Sequence, residues 1–475
     1  MLHLTAALDP ASRVPLYQQL YRSLAGEIRS GALPAGTRMP GKRSLAEALG
    51  VSVNTVDGAY QMLAAEGYLA SRARSGFYVQ EYPALPGRPE PPAAPAPAAA
   101  PAGPPVRFDL STGGVDTRLF PFRTWARLQK ELLYTSPQLL ARGDPRGDIQ
   151  LRQALAGYLE EYRGVRCTPG QIVVGAGIEY LLSLLAPLLP GPAAVEDPGY
   201  PRARQVLENS GRPCRLIPVD EGGLSVADLA ASDAAVCYVT PSHQFPTGVT
   251  MPAPRRAELL GWAAAAPGRY IIEDDYDSEF RFDTRPLPSL QGMAGGDGPV
   301  IYLSTVARSL APGIRIAYMV LPRSLLPAWQ ERYSLYSATV GRFEQQTLAR
   351  FIQEGYFTRH LARSRMTYKA RRNALAGALT EAFGPKARLS GLHTGLHLLL
   401  RLAGPVPSDQ ALVRAARQAG IRLAALSGYS MASPARCPSG TLVLGYGALE
   451  DSLCPELAST LKKAISAACA SSSRA

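Results

Sequence analysis

The chain has 475 residues, 46% of them hydrophobic, which is enough apolar material to bury a core and too long for one ordinary domain. Two or three folded units are therefore expected. Its 50 Lys and Arg outnumber the 38 Asp and Glu, and the net charge of +12 makes a polyanionic partner plausible without indicating a fold. The chain has six cysteines: Cys167, Cys214, Cys237, Cys437, Cys454 and Cys469. They lack the paired spacing of a disulfide framework or a zinc ribbon, which favours a reducing compartment.

The N-terminal residues 1–10 show neither a basic start nor a continuous apolar run, so no secretory signal is expected there. Apolar stretches such as residues 180–189 are shorter than the roughly 20 residues that cross a bilayer. Together with the dispersed cysteines, these patterns predict a soluble, cytoplasmic protein.

Proline and alanine dominate residues 83–105, where ten prolines and eight alanines fall in 23 residues. Proline lacks the backbone N–H that a helix interior needs, and the segment has too few large apolar groups to fold. We expect a semi-rigid spacer in polyproline II geometry. The sequence thus divides into a small unit at 12–80, a linker at 81–107 and a large unit at 108–475.

The small unit begins with a predicted amphipathic helix that ends near Gly31 and carries an apolar residue at every fourth position: Leu16, Leu20, Leu24 and Ile28. A short helix over residues 43–49 and a turn follow, and Ser52 is placed to cap a third helix. Two short strands are predicted over residues 68–71 and 76–79. Helix, turn, helix and a two-stranded wing are the parts of a winged helix-turn-helix.

Basic side chains cluster in the turns of this unit that would face DNA phosphates: Arg38, Lys42, Arg43, Arg72 and Arg74. At the start of the third helix, the short polar side chains of Ser52, Asn54 and Thr55 could reach base edges or phosphates in the major groove. Thr55 could equally serve only to cap or pack.

Several segments of the small unit resemble the GntR-type DNA-binding domain: residues 31–40, 43–47, 51–52, 54–56 and 59–69. The sequence departs from that pattern at Val53, where many relatives place an Arg at the start of the recognition helix, and at Gly41, where a Ser is usual. Affinity or base preference is therefore expected to differ from that of such relatives.

From residue 108 onward, strand-like apolar runs alternate with helical ones, which predicts an α/β layer structure with a largely parallel sheet. The predicted strands cover residues 171–174, 193–196, 235–240, 270–273, 300–304 and 316–321. Functional groups are expected at the ends of such strands. At one end, Gly175-Ala176-Gly177 precedes a helix starting near Ile178, where backbone N–H groups and the helix dipole favour a phosphate.

Several segments of the large unit resemble the fold-type I aminotransferase unit of MocR-type regulators: residues 119–125, 143–147, 196–200, 240–248 and 272–280. In that family the unit has a smaller C-terminal subdomain and follows a GntR-type domain behind a variable linker. The resemblance implies a pyridoxal phosphate site. Asp274 would face the pyridine nitrogen, Tyr276 the phenolic oxygen and Tyr200 the ring, while the phosphate would be held by Thr305, Arg315 and the backbone of Ala176, Gly177 and Ile178.

One position departs from that family in its chemistry. Relatives read approximately Gly-Thr-Phe-Ser-Lys-Ser before Leu-Ala-Pro, and their Lys forms an imine with the cofactor aldehyde. Here residues 304–312 read Ser-Thr-Val-Ala-Arg-Ser-Leu-Ala-Pro, so Arg308 occupies the Lys position. A guanidinium, with a pKa above about 12, keeps its proton and cannot attack a carbonyl. The chain has six lysines, and none lies beside a pocket motif: Lys42, Lys130, Lys369, Lys386, Lys462 and Lys463. Pyridoxal phosphate is therefore expected to bind non-covalently at best.

An unpaired guanidinium in a closed pocket is strongly unfavourable, so we expect Arg308 to pair with Asp274, with Tyr276 or with a bound anion. Arg202 resembles a position that holds ligand carboxylates in some relatives, and a surface ion pair is an equal alternative. Residues 427–429 lack the Arg of many such pockets, which argues against recognition of an ordinary α-amino acid. Three histidines lack the spacing of a metal-binding motif and are interpreted as structural residues: His243, His393 and His397.

The sequence therefore predicts a DNA-binding transcriptional regulator whose large domain dimerises and senses an effector, either pyridoxal phosphate or an amino-acid-like molecule, with catalysis lost. The resemblance implies a head-to-tail homodimer reading paired half-sites on double-stranded DNA. The alternative is an active pyridoxal-phosphate-dependent aminotransferase whose winged domain controls its own gene. A third interpretation is a structural dimeric repressor without a small ligand. Position 308 separates the first two.

Overall fold

The computed structural model describes residues 8–82, 105–283 and 287–472. The chain divides into two compact units, residues 1–100 and residues 101–475. Most of the linker predicted at 81–107 lies outside the described residues, so its spacer geometry stays a prediction.

The small unit contains three helices followed by an antiparallel pair of strands: α1 (Leu16–Ser30), α2 (Lys42–Leu49), α3 (Val53–Ala65), β1 (Leu69–Arg72) and β2 (Gly76–Val79). Gly31 adopts a φ of 79° and ends α1, while Ser52 caps α3 by accepting the backbone N–H of Thr55 at 3.1 Å. Most of the apolar residues that the helical spacing placed inward are buried together: Leu20, Leu24, Ile28, Val56, Tyr60 and Leu63. Leu16 is only half-buried. The winged helix-turn-helix is confirmed.

The large unit alternates helices and strands. Its helices are α4 (Phe122–Thr135), α5 (Ile149–Arg163), α6 (Ile178–Leu185), α7 (Pro201–Asn209), α8 (Val226–Ala231), α9 (Ala253–Ala264), α10 (Leu290–Ala294), α11 (Leu326–Tyr333), α12 (Arg342–Gln353), α13 (Tyr356–Phe383), α14 (Asp409–Gln418) and α15 (Cys454–Ser472). Its strands are β3 (Phe108–Asp109), β4 (Ile172–Gly175), β5 (Ala193–Asp197), β6 (Cys214–Asp220), β7 (Gly223–Leu224), β8 (Val236–Val239), β9 (Tyr270–Asp275), β10 (Val300–Thr305), β11 (Ala317–Val320), β12 (Ala387–Ser390), β13 (His397–Leu402), β14 (Ile421–Arg422), β15 (Ala424–Ala425) and β16 (Thr441–Gly445).

An eight-stranded sheet in the order β4-β11-β10-β9-β8-β5-β6-β7 lies at the centre of this unit. The strands from β10 to β6 run parallel, whereas β11 is antiparallel to both of its neighbours and β7 is antiparallel to β6. Successive residues of β4 belong to different cores, since Val174 packs with α5 and α12 and Val173 packs with α6 and α7. Helices therefore cover both faces, and the predicted α/β architecture with a mostly parallel sheet is confirmed.

A second, four-stranded antiparallel sheet in the order β12-β13-β16-β15 packs with α13, α14 and α15 around its own apolar core. Strand β3 pairs with β14, so the start of the large unit joins this smaller subdomain. The carboxylate of Asp197, at the end of β5, accepts the backbone N–H groups of Met431 at 2.7 Å and Ala432 at 3.2 Å. These bonds fix the loop around Tyr429 against the ends of the central strands.

All six cysteines are free thiols. Across the ranges 8–82, 105–283 and 287–472, no helix combines the length and the apolar character that crossing a bilayer requires. The same residues contain no group of three or more His, Cys, Asp or Glu side chains arranged to hold a metal ion.

Candidate ligand and DNA sites

A cavity of about 490 Å³ lies at the carboxyl ends of the parallel strands. Parallel strands end at one edge of a sheet, which brings together residues that are far apart in the chain. Nine residues singled out by the sequence line the cavity: Gly177, Ile178, Tyr200, Arg202, Asp274, Tyr276, Thr305, Arg308 and Arg315. Thr240, Phe245 and Tyr429 also contribute to its walls. No lysine is among the described residues that line it.

Ala176 is not among the residues that line this cavity, contrary to the expectation for its backbone. Its N–H donates to the hydroxyl of Thr339 at 3.0 Å, and its carbonyl accepts from the Arg315 guanidinium at 3.1 Å. The residue therefore positions Arg315 instead of offering a free N–H to a ligand. Gly177 follows with a φ of 105°, a conformation that side chains with a Cβ rarely adopt.

Asp274 projects from the end of β9 with only 3% of its surface exposed. One carboxylate oxygen accepts the hydroxyl of Tyr238 on the neighbouring strand β8, and Oδ1 has no partner among the described residues. Burial raises the pKa of Asp274 to about 7; the bond from Tyr238 opposes the shift, and the carboxylates of Asp275 and Asp277 add to it. Oδ1 is therefore a buried acceptor that no described residue satisfies.

Tyr276, which lines the cavity, belongs to a buried polar cluster. Its hydroxyl lies 3.0 Å from Nδ1 of His243, and that nitrogen lies 2.9 Å from the Asp277 carboxylate. The His243 and His397 rings are 4.6 Å apart, and burial lowers the pKa of His397 well below its ordinary value. These contacts favour structural roles for the two buried histidines, whereas His393 is exposed near Asp283.

Glu179, in the first turn of α6, occupies the cationic end of the cavity. Its carboxylate accepts from Arg202 at 3.2 Å, from Arg315 at 3.4 Å and from the Tyr200 hydroxyl at 3.5 Å. Burial alone would raise the pKa of Glu179, but its backbone hydrogen bond and the two guanidinium groups bring it below the ordinary value. Sequence reasoning missed this residue, although an acid in a predicted phosphate-binding turn was a visible signal.

Arg202 makes an exposed ion pair with Glu179, which was one of the two alternatives, and it also lines the cavity; its holding of a ligand carboxylate stays a prediction. The Thr305 hydroxyl donates to the carbonyl of Ile316 at 3.1 Å and accepts the N–H of Ala307 at the same distance. Its donor is consequently committed to the loop that carries Arg308.

Arg308 lies in the wall of the cavity and is partly buried. The predicted pairing with Asp274 or Tyr276 is not made: Arg308 Nη1 is shielded from solvent and has no hydrogen-bond partner in the described part of the chain. Asp274 is held by the Tyr238 hydroxyl instead. The charge of Arg308 still reaches Tyr276, because burial raises the pKa of that phenol and Arg308 is among the groups that oppose the rise.

Other acids at the strand ends have partners within the protein. Asp275 accepts from the buried guanidinium of Arg163 at 2.7 Å and from the Tyr302 hydroxyl at 2.5 Å. Glu273 accepts the first backbone N–H groups of α10 at 2.9 and 3.0 Å, and Glu196 accepts the Thr240 hydroxyl at 2.6 Å. An arginine therefore compensates the charge of one of these acids, Asp275.

On the small unit, most of the predicted DNA-contacting side chains are exposed: Arg38, Arg43, Ser52, Asn54, Arg72 and Arg74. Lys42 is partly buried, pairs with Asp57 and lies 5.3 Å from the Phe77 ring centre. The Ser52 and Thr55 hydroxyls are 2.8 Å apart, so both take part in the cap of α3. Arg72 stacks over the Tyr78 ring at 4.4 Å, which orients it on the wing.

The model of bacterial regulatory proteins of the gntR family matches residues 16–79. The uncharacterized HTH-type transcriptional regulator YhdI of Bacillus subtilis is 37% identical, over 95% of this chain and 96% of that protein. The probable rhizopine catabolism regulatory protein MocR of Rhizobium meliloti is 34% identical, over 96% of this chain and 95% of that protein. Among solved structures, the α-aminoadipate aminotransferase LysN of Thermus thermophilus, complexed with N-(5'-phosphopyridoxyl)-L-leucine, is 25% identical, with a TM-score of 0.66 over 76% of this chain and 93% of that chain.

Proposed function

Since the chain belongs to the MocR-type family of helix-turn-helix transcriptional regulators, with a GntR-type DNA-binding domain and an aminotransferase-like domain, we propose that its aminotransferase-like domain is catalytically inactive and serves as a ligand sensor. DNA binding by residues 12–80 and sensing by residues 108–475 are the two halves of this proposal. A head-to-tail homodimer would present two winged units to paired half-sites.

The observation that carries the proposal is the identity of residue 308. The reaction of an aminotransferase requires a neutral amine to attack the cofactor carbonyl and later to move a proton. Arg308 retains its proton, because a guanidinium is not deprotonated in proteins. No lysine lies among the described residues around the cavity to replace it.

The remaining residues nevertheless fit pyridoxal phosphate as a reversible ligand. Oδ1 of Asp274 is a buried acceptor without a partner, as a ring N–H would require, and Tyr276 lines the same cavity. Arg202, Arg315 and the start of α6 form a cationic end for a phosphate. Bound pyridoxal phosphate supplies an aldehyde and an electron-accepting ring. This chain would hold and orient the group, with Tyr200 and Phe245 shielding it from water.

Two measurements on the full chain test this function. The wild-type protein should enrich specific duplexes from a random double-stranded DNA library and bind them more tightly than unselected duplex. With added pyridoxal phosphate, it should transfer no amino group from any of the common amino acids to 2-oxoglutarate. Amino transfer that the wild type catalyses above the rate of free cofactor would favour the active aminotransferase, and failure to enrich any duplex would refute the regulator.

A further inference from the structure

Arg308 and Asp274 line the same cavity, and each has a buried polar atom without a partner. Nη1 of Arg308 is a donor and Oδ1 of Asp274 is an acceptor, and neither has a hydrogen-bond partner among the described residues. Buried polar atoms are rarely left unsatisfied in native proteins, and each such group calls for an explanation. A ligand that offers an acceptor to one atom and a donor to the other would satisfy both.

The protein itself supplies no substitute for such a ligand. The second oxygen of Asp274 is taken by Tyr238, and the Tyr276 hydroxyl is engaged with His243. The carboxylate of Glu179 is shared by Arg202 and Arg315 at the other end of the cavity. Arg308 is thus the cation of this cavity that has no carboxylate partner among the described residues, and its charge is available to the ligand.

We propose that Arg308, at the position of the lysine of an aminotransferase, makes the cavity selective for phosphorylated pyridines whose substituent beside residue 308 carries an oxygen acceptor. That substituent is an aldehyde or a carboxylate, and Arg308 disfavours binding of the corresponding amine. The inference rests on the proposed sensing function and names the ligand form that the sensor recognises. Asp274 accepts the ring N–H of that ligand, and Arg315 with Arg202 holds its phosphate.

The selectivity follows from a fixed charge. A guanidinium cannot lose its proton to relieve repulsion, so a ligand ammonium placed beside it meets a permanent like charge in a partly desolvated site. A carboxylate at the same place gains a charge-assisted hydrogen bond, and an aldehyde gains a weaker one. The charge and the hydrogen-bonding character of the substituent at this carbon thereby become the properties that the domain distinguishes.

The test is a set of four ligands titrated into the full-length protein by calorimetry at one pH and salt concentration. The four share the ring and phosphate and differ in one substituent: pyridoxamine phosphate carries an ammonium, pyridoxine phosphate a hydroxyl, pyridoxal phosphate an aldehyde, and 4-pyridoxic acid phosphate a carboxylate. We expect the carboxylate to bind roughly 10- to 100-fold more tightly than the ammonium, with the two neutral ligands between them.

Two variants show whether Arg308 is the cause. Arg308→Gln keeps a side chain of hydrogen-bonding character without the charge, and it should reduce the carboxylate-to-ammonium ratio to within about threefold. Arg202→Gln removes a charge from the phosphate end, so it should weaken all four ligands by a similar factor and keep their order. An unchanged far-UV circular dichroism spectrum and an unchanged thermal unfolding transition show that each variant is folded.

The outcomes separate this inference from the proposed function. Equal affinities for the four ligands in the wild type, or the same order in Arg308→Gln as in the wild type, overturn the selectivity and leave the sensor in place. Binding of none of the four overturns both the sensing role and the selectivity, while enrichment of DNA remains as the test of the regulator.

Discussion

The two candidate sites of this molecule are built in opposite ways. The small unit buries an almost purely apolar core and carries its DNA-contacting side chains on the surface, with Arg38, Arg43 and Arg72 exposed to solvent. The large unit places its site among buried acids, so that Asp274 and Glu196 have only 3% and 2% of their surface exposed. In the small unit, the exposed arginines and the buried apolar core are different residues, whereas in the large unit the acids at the strand ends are themselves buried.

The buried acids of the large unit show that burying carboxylates at a site costs stability. Burial raises the pKa of Glu196, Glu273, Asp274 and Glu279 to about 7, which means that the fold disfavours their ionised forms. A surface arginine carries no comparable penalty, since it stays hydrated. Substitution of the exposed arginines of the small unit should therefore alter binding without altering stability, whereas substitution of the buried acids of the large unit should alter stability.

The largest effect is expected for DNA binding. The double variant Arg43→Ala, Arg72→Ala should bind a selected duplex about 100-fold more weakly and lower the slope of log affinity against log salt by about two, because two phosphate contacts are lost. Fluorescence anisotropy over a series of salt concentrations measures both quantities. Arg22→Ala removes an equally exposed charge from α1 and is the matched control. Equal losses in the double variant and the control would remove Arg43 and Arg72 from the DNA surface.

The next effect concerns the pH dependence of stability. The pKa of Glu196 is near 4.5 when unfolded and about 7 when folded, so the native state binds more protons between these values. The free energy of unfolding should therefore fall as pH rises from about 4.5 to about 7, and the loss should be complete above that range. Glu196→Gln retains an acceptor for Thr240 and should raise the stability at pH 8 by roughly 2 kcal/mol, with little change at pH 5.

Thermal unfolding of the wild type and of Glu196→Gln at both pH values measures this difference. Glu161→Gln alters an exposed acid on α5 and should leave the pH dependence as it is in the wild type. If Glu196→Gln and the wild type lose stability equally between pH 5 and pH 8, the burial cost assigned to this acid is wrong.

A smaller effect is expected on ligand affinity at the end of the cavity where the Glu179 carboxylate contacts the guanidinium groups of Arg202 and Arg315. Glu179→Gln frees Arg202 and Arg315 from a competing carboxylate, so the affinity for pyridoxal phosphate should rise about tenfold. Calorimetry of the full chain measures the change. Glu208→Gln breaks the exposed pair with Arg204 on α7 and controls for the loss of one negative charge. Weaker binding in Glu179→Gln would show that Glu179 supports the ligand site and does not compete with it.

The smallest effect concerns the stability of the small unit. Ser52→Ala removes the side chain that accepts the N–H of Thr55, and loss of such a cap costs about 1 kcal/mol. Ser52→Gly should cost only a few tenths of that figure, since glycine is a good capping residue. Denaturant unfolding followed by the ellipticity of the small unit distinguishes the two variants. Equal stability of both would show that the Ser52 hydroxyl contributes little to the cap.

Local sequence patterns predicted many of the helices and strands of this structure. The four-residue spacing of apolar side chains predicted α1, and the glycine at its end predicted where it stops, because both depend on neighbours in the chain. The strand ends of the large unit were predictable for the same reason, and the aminotransferase resemblance assigned Asp274, Tyr276 and Arg315 to one site. The cavity indeed collects these three residues.

Contacts between distant segments were beyond the reach of the sequence. Glu179 meets an arginine 136 positions away, and Tyr238 takes the oxygen of Asp274 that we had expected Arg308 to neutralise. Ala176 turns its N–H toward Thr339, which is 163 positions distant. Each of these results from packing between elements, which decides among several partners that a charge pattern alone leaves equivalent.

The central claim is that position 308 no longer supports covalent chemistry, and peptide mapping after reduction tests it most directly. Wild-type protein and Arg308→Lys are incubated with pyridoxal phosphate, reduced with borohydride, digested and analysed by mass spectrometry. The account predicts pyridoxyl mass on the peptide containing residue 308 in Arg308→Lys and on no peptide lining the cavity in the wild type. A stoichiometric adduct on a cavity residue of the wild-type protein would contradict it.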